Sequence, residues 1–107
     1  MTDHELLQLS AKAMGFELEY RHGSDAFHYD DPESGREQWL PLSDDTQAMR
    51  LAVDLQLSIL WFTTLQHVVV ERRGFGENIG WIDDAGRAGA LRQAITVVAA
   101  QIGSTLP

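Results

Sequence analysis

The sequence predicts a small α+β domain, and three patterns in it lead to that class. Apolar residues recur at helical spacing in three stretches of the chain. The segments between them alternate apolar and polar residues or are rich in β-branched and aromatic side chains, as strands are. Clusters of Gly, Pro, Asp and Ser separate the segments as turns. We therefore expect residues 1–107 to form one domain of order α-β-β-α-β-β-α, an antiparallel sheet with helices packed mainly on one face.

The first helix is predicted to run from Asp3 to Met14. Thr2 and Glu5 have the spacing of a capping box, in which a hydroxyl N-cap is followed three residues later by a carboxylate. Gly15 stands where the residue after a helix often adopts the left-handed conformation. The segment FELEYR then alternates apolar and polar residues, and AFHY does the same after a turn, so the two predict a β-hairpin.

The second helix is predicted to follow Pro41, which ends any strand before it. The stretch Asp30–Gly35 is rich in turn residues, and Glu37–Leu40 is interpreted as a short extended continuation of the hairpin. Ser43 or Asp44 is expected to cap the helix, because either side chain can accept a hydrogen bond from the first turn. The apolar residues that give this segment its helical spacing are Ala48, Leu51, Ala52 and Leu55.

The second half of the chain predicts two more strands and a long helix. LSILWFTT and HVVVER are apolar on both faces, which is typical of central strands. The stretch Gly74–Asn78 is predicted to be a hairpin loop, and Asp83 or Asp84 to cap a helix that ends at Gly103. The residues show no convincing internal repeat, although the order of the elements suggests a duplication. The predicted core joins Leu51, Leu55, Trp61, Leu91, Ile95 and Val98.

Negative charge is concentrated in the first half of the chain. Residues 1–54 contain twelve acidic and four basic residues, whereas residues 55–107 contain four of each. Between Asp25 and Asp45, seven acidic residues are opposed only by Arg36. Such a field disfavours nucleic acid and anionic membranes as ligands, because phosphate binding needs clustered Lys and Arg. The segment is then either a solubilising surface or a recognition surface for a basic partner.

The sequence argues against several kinds of catalytic and metal chemistry. The chain has no cysteine, which excludes disulfides, thiolate metal sites and a cysteine nucleophile. His22, His28, Asp30 and Asp31 lie close together, but their spacing matches no metal-ligand motif. The glycines of GFGENIG have the wrong spacing for a dinucleotide-binding turn, no P-loop lysine follows them, and no serine lies in a G-x-S-x-G motif. We predict no catalytic, cofactor-binding or metal-binding residues.

The chain combines a short capped helix ending in Gly, an aromatic hairpin, W-x-P-L-x-D-D with an A-x-R-L-A-V helix after it, and a final A-x-R-x-A-I helix. In this combination, which spans most of the chain, it resembles small uncharacterised proteins encoded by tailed phages and prophages, and more distantly the NinX-like family. The resemblance implies a phage or prophage origin, but it carries no catalytic residues onto this chain. The matching residues are Trp39, Pro41, Leu42, Asp44, Asp45, Ala48, Arg50, Leu51, Ala52, Val53, Leu91, Arg92, Ala94 and Ile95.

These observations favour an accessory protein that binds a host or phage protein, acting as a monomer or small homo-oligomer. A nucleic-acid mimic that blocks a defence or DNA-handling protein, and a small enzyme with an unrecognised site, are the alternatives. The acidic N-terminus lacks the basic and apolar regions of a signal peptide, and no apolar run approaches the ~20 residues of a membrane span, so we expect the host cytosol. The predicted partner surface consists of Asp25, Asp30, Asp31, Glu33 and Phe75.

Overall fold

The structure, a computed structural model that describes residues 1–107, confirms the α+β class. The helices are α1 (Asp3–Ala13), α2 (Asp45–Asp54) and α3 (Arg87–Ser104), and the strands are β1 (Glu19–Arg21), β2 (Ala26–Asp31), β3 (Gly35–Gln38), β4 (Ser58–Phe62), β5 (His67–Arg72) and β6 (Phe75–Gly80). The six strands form two antiparallel sheets, called sheet A (β1-β2-β3) and sheet B (β4-β5-β6). No helix combines the length and the apolar composition that a membrane span requires.

The order is α-β-β-β-α-β-β-β-α rather than the predicted α-β-β-α-β-β-α. The additional strands are β3 and β6, and the extension predicted over Glu37–Leu40 overlaps only the last two residues of β3. Their sequences, GREQ and FGENIG, contain glycine and polar residues, which have little intrinsic strand preference. Each becomes a strand because the preceding strand offers it a hydrogen-bonding edge after a short turn. The prediction of a loop over Gly74–Asn78 was therefore wrong for all but its first residue.

The helix starts follow the capping signals in the sequence. Thr2 and Glu5 form the predicted capping box, with the Glu5 N–H donating to the Thr2 hydroxyl at 3.2 Å. Asp44, of the two candidates, caps α2 by accepting from the N–H of Gln47 at 3.0 Å. Asp83 caps a single 3-10 turn that leads directly into α3. These local signals fix where α1 and α2 begin, whereas α3 begins at Arg87 without a side-chain cap of its own.

The structure contains a repeated αβββ unit that the residues do not reveal. The first unit is α1 with sheet A, and the second unit is α2 with sheet B. The same backbone bond closes both helices, from the N–H of Phe16 to the carbonyl of Ala11 and from the N–H of Leu57 to that of Ala52. The positive-φ residues also recur at matching turns, as Gly15, Asp25 and Gly35 in the first unit and Gln56, Gln66 and Gly74 in the second.

Helix α3 lies at the centre of the molecule, in contact with α1, α2 and sheet B. Leu51 and Ile95 are both fully buried, as the sequence predicts, and Leu55 and Val98 belong to the same core. Leu91 is only partly buried against this core, and Trp61 lies outside it, because 46% of its surface is exposed. The prediction of Trp61 as core was wrong because β4 is an edge strand of a three-stranded sheet rather than a central one.

Candidate functional site

The most strongly perturbed ionisable groups of the chain meet at the end of β2. Asp31 is buried, with 6% of its surface exposed, and its carboxylate has four hydrogen-bond donors. The backbone N–H groups of Glu33 and Ser34 donate to one oxygen at 2.8 and 3.3 Å, which closes the turn between β2 and β3. The Tyr29 hydroxyl, at 3.2 Å, and the Arg50 guanidinium donate to the other oxygen. The carboxylate therefore joins sheet A to α2.

The aromatic residues around this carboxylate explain why it tolerates burial. Tyr29 is buried, stacks on Phe16 with ring centroids 4.7 Å apart, and meets Trp39 edge-to-face at 5.2 Å. The Arg50 guanidinium lies over the Phe16 ring at 5.5 Å while it bonds to Asp31. A buried carboxylate is stable only when it is paired and hydrogen-bonded, and here both conditions are met.

The same contacts fix the protonation states of this cluster at neutral pH. The N–H of Glu33 and the guanidinium of Arg50 lower the pKa of Asp31 to about 2. Burial and the nearby Asp31 carboxylate raise the pKa of Tyr29 to about 12, and the bond to Asp31 raises the pKa of Arg50. A general acid or base needs a pKa near the working pH. None of the three groups meets that requirement, so the properties of the cluster fit a role in stabilising the fold.

We expect Asp31→Asn to lower the melting temperature by several degrees at neutral pH. The folded pKa of Asp31 lies below the value of about 4 in an unfolded chain, so its stabilisation is complete above about pH 4 and is lost as the pH falls through about 2. The gap between wild type and variant should therefore close toward pH 2. Thermal unfolding followed by circular dichroism across this pH range measures the difference in melting temperature between wild type and variant. Asp30→Asn is the matched control, because the Asp30 side chain is exposed. An equal loss of melting temperature in both variants would contradict the buried position of Asp31.

The predicted acidic partner surface is divided by the fold. Asp25, Asp30 and Glu33 are exposed on sheet A and its turns, with the Asp30 side chain 81% exposed. Asp31 points inward instead, where its carboxylate accepts from the N–H groups of Glu33 and Ser34, so its place in the predicted partner surface was wrong. Neighbouring residues of a strand face opposite sides of the sheet. Two consecutive acids therefore do not reveal which of them is exposed and which is buried. The exposed part of the predicted surface is therefore Asp25, Asp30 and Glu33.

Phe75, the apolar member of the predicted surface, lies at the start of β6 and is only partly exposed. It packs against the core and forms one wall of a surface hollow of about 540 Å³. Arg72 and Arg73 line the same hollow and have no ion-pair partner, unlike every other arginine of the chain. This hollow is the one basic spot of the surface, and it lies apart from the acidic residues of sheet A.

The histidines near the first hairpin do not converge with the acids around them. The His28 ring lies 2.9 Å from the Ser24 hydroxyl, and the His22 ring packs against Tyr20. Asp30 pairs with Arg36 instead, at 3.1 Å. No three His, Asp or Glu side chains of the chain come together in a way that would hold a metal ion.

The solvent-facing sides of the two sheets have opposite chemical character, a feature that sequence reasoning missed. In sheet A this face carries Glu19 and Arg21 on β1, tied to each other at 3.2 Å. The strand registers place Leu60 of β4 at the position of Glu19, and Phe62 at the position of Arg21. Each of the two apolar side chains is 43% exposed. The sequence contained the signal in the segment LSILWFTT, which is apolar on both faces. That segment was interpreted as a central, buried strand.

Comparison with protein-family models, with curated proteins and with solved structures finds no match for this chain. The function must therefore be argued from the geometry and charge of the chain itself.

Proposed function

We propose that this chain is a phage or prophage accessory protein that works in the host cytosol by binding a basic host or phage protein. The phage origin rests on the resemblance of its second and third helices to small phage proteins. The binding role rests on one observation: sheet A and its turns present acidic side chains whose charge is not neutralised within the molecule.

The distribution of ion pairs supports this proposal. Every arginine of the first half is already engaged: Arg21 with Glu19, Arg36 with Glu19 and Asp30, and Arg50 mainly with Asp31. The remaining exposed acids, among them Asp25, Glu33 and Glu37, have no ion-pair partner. Their charge is therefore available to a partner that supplies Lys or Arg. Exposed charges of this kind act mainly on the rate of association.

Binding is favoured over catalysis because none of the perturbed groups changes its protonation state near neutral pH. The pKa of Asp31 is about 2 and that of Tyr29 about 12, and both side chains are held by neighbours. Mimicry of nucleic acid is less well supported, since Glu19, Asp30 and Asp45 are paired with arginines and are not free to stand in for phosphates.

The proposal predicts that a triple variant of the unpaired acids, Asp25→Asn, Glu33→Gln and Glu37→Gln, slows capture of the partner without changing the fold. Asn is suitable at position 25 because it tolerates the positive φ of 49° there. The partner would first be isolated by affinity capture from infected or lysogenic cells. Association rates would then be measured at low and high salt, and the loss should fade as salt rises because the Debye length is about 8 Å at physiological ionic strength.

A matched control removes the same number of negative charges from the other half of the chain, as Glu71→Gln, Glu77→Gln and Asp84→Asn. This control should bind close to the wild-type rate, because its charges lie outside sheet A. If both triple variants slow binding equally, net charge rather than the acidic surface is responsible. If the first triple variant binds at an unchanged rate in low salt, the acidic surface only solubilises the protein.

A further inference from the structure

We infer that β4 is a self-association strand: its outer edge pairs with β4 of a second copy, so that two copies of sheet B form one six-stranded antiparallel sheet. This interface lies on a different unit from the acidic surface of sheet A. The inference therefore stands or fails independently of the proposed partner.

The outer edge of β4 lacks the protection that the other edges have. The equivalent strand in the first unit, β1, is only three residues long and carries Glu19 and Arg21. On the far edge of sheet B, the Gln101 side chain bonds to both the N–H and the carbonyl of Gly76, each at 3.0 Å. By contrast, β4 has five residues, SILWF, with no charge, proline or glycine, and no side chain bonds to its backbone. An unprotected edge is a template for another strand.

Apolar side chains surround this edge. Leu60, Trp61 and Phe62 are each 43–46% exposed, and Leu65, in the turn that follows β4, is 71% exposed. Trp61 contacts Trp81, with ring centroids 5.8 Å apart. Because an aromatic side chain offers about 150–250 Å² of surface, the apolar surface exposed along the edge, on the two faces of the strand together, amounts to several hundred Å² in each copy. An area of this order fits the small end of specific interfaces and predicts a weak dimer.

Charge favours a second copy over the basic partner as the occupant of this edge. The half of the chain that contains β4 has four acidic and four basic residues, so no net charge opposes two copies meeting there. A basic protein would be drawn to the acids of sheet A, not to an uncharged strand. An antiparallel pair is also self-complementary, which is what a two-fold interface requires.

The length of β4 specifies the register of this pair. A two-fold axis at Leu60 pairs all five residues of each strand, with Ser58 opposite Phe62 and Ile59 opposite Trp61 of the other copy. The two Leu60 side chains then lie side by side on the open face of the joined sheet. Their Cα atoms would be about 4.5–5.5 Å apart, within the range that a disulfide can bridge.

The absence of cysteine makes the register directly testable. Leu60→Cys should cross-link two copies under mild oxidation. The control is Asn78→Cys, which lies on the same exposed row, because Leu60 pairs with Val69 and Val69 with Asn78. In the six-stranded sheet the two copies of residue 78 are five strand spacings apart, roughly 24 Å, so this variant should stay monomeric on reducing-agent-free gels.

Sedimentation of the cysteine-free protein tests the association itself. Wild type should show a concentration-dependent monomer–dimer equilibrium that Leu60→Lys abolishes and Asn78→Lys leaves unchanged, with circular dichroism showing that both variants are folded. The inference is overturned if wild type stays monomeric up to about millimolar concentration, well above the Kd of a weak specific dimer. It is equally overturned if Leu60→Lys still dimerises, or if the two cysteine variants cross-link to the same extent.

Discussion

Gly103→Ala should destabilise the protein by about 3 kcal/mol or more, although alanine is normally the better helix former. Gly103 is buried on α3 where that helix meets α1. A Cβ atom at this position would lie 2.8 Å from the carbonyl carbon of Leu9, closer still to its oxygen, and 3.3 Å from the backbone nitrogen of Ala13. Backbone atoms cannot rotate away as a flexible side chain can. The two helices would have to separate, which opens the core.

Gly89→Ala is the matched control on the same helix. The nearest atom to a Cβ at Gly89 is a guanidinium nitrogen of Arg92 at 3.6 Å, an ordinary van der Waals distance. This variant should stabilise the protein by about 0.5–1 kcal/mol through helix propensity alone. Urea unfolding of both variants measures the difference. Equal stability of Gly103→Ala and wild type would mean that α1 and α3 do not approach as closely as the structure has them.

Ile95→Ala should cost about 2–5 kcal/mol, because it removes buried methyl groups and leaves a cavity at the centre of the core. Ile95 is fully buried on α3, the helix that contacts α1, α2 and sheet B. The surrounding elements are tied to one another, so the cavity cannot easily collapse. The free energy of unfolding from denaturant titration gives the loss directly.

Val53→Ala serves as the control for this core variant. It also removes methyl groups from a helix, but 64% of the Val53 surface is exposed. Its effect should stay within about 0.5 kcal/mol. A loss of that small size at Ile95 as well would mean that α3 is peripheral.

The helices could be predicted from the sequence because their signals are local. A capping hydroxyl or carboxylate, a glycine after the last turn and apolar residues at helical spacing all act within a few residues of one another. Thr2, Asp44 and Gly15 lie where these rules place them. The start of β3 and most of β6 could not be predicted in the same way, because their sequences owe their extended form to a neighbouring strand.

The candidate surfaces show the same division between local and tertiary causes. The sequence located the acidic segment, but it could not separate exposed Asp30 from buried Asp31, whose donors include an arginine on another element. It found the apolar run of β4, but it could not show that the run forms an unprotected edge. Both distinctions depend on which elements become neighbours.

The sequence by itself determined the α+β class, the caps of α1 and α2, the charge asymmetry between the halves and the burial of Leu51 and Ile95. Only the tertiary structure decided that the strands divide into two sheets, that αβββ occurs twice, and that Trp61 lies on the surface. The physical reason is that capping and helical periodicity are encoded within a few residues. Strand pairing and burial at a sheet edge depend on contacts between segments that are distant in the chain.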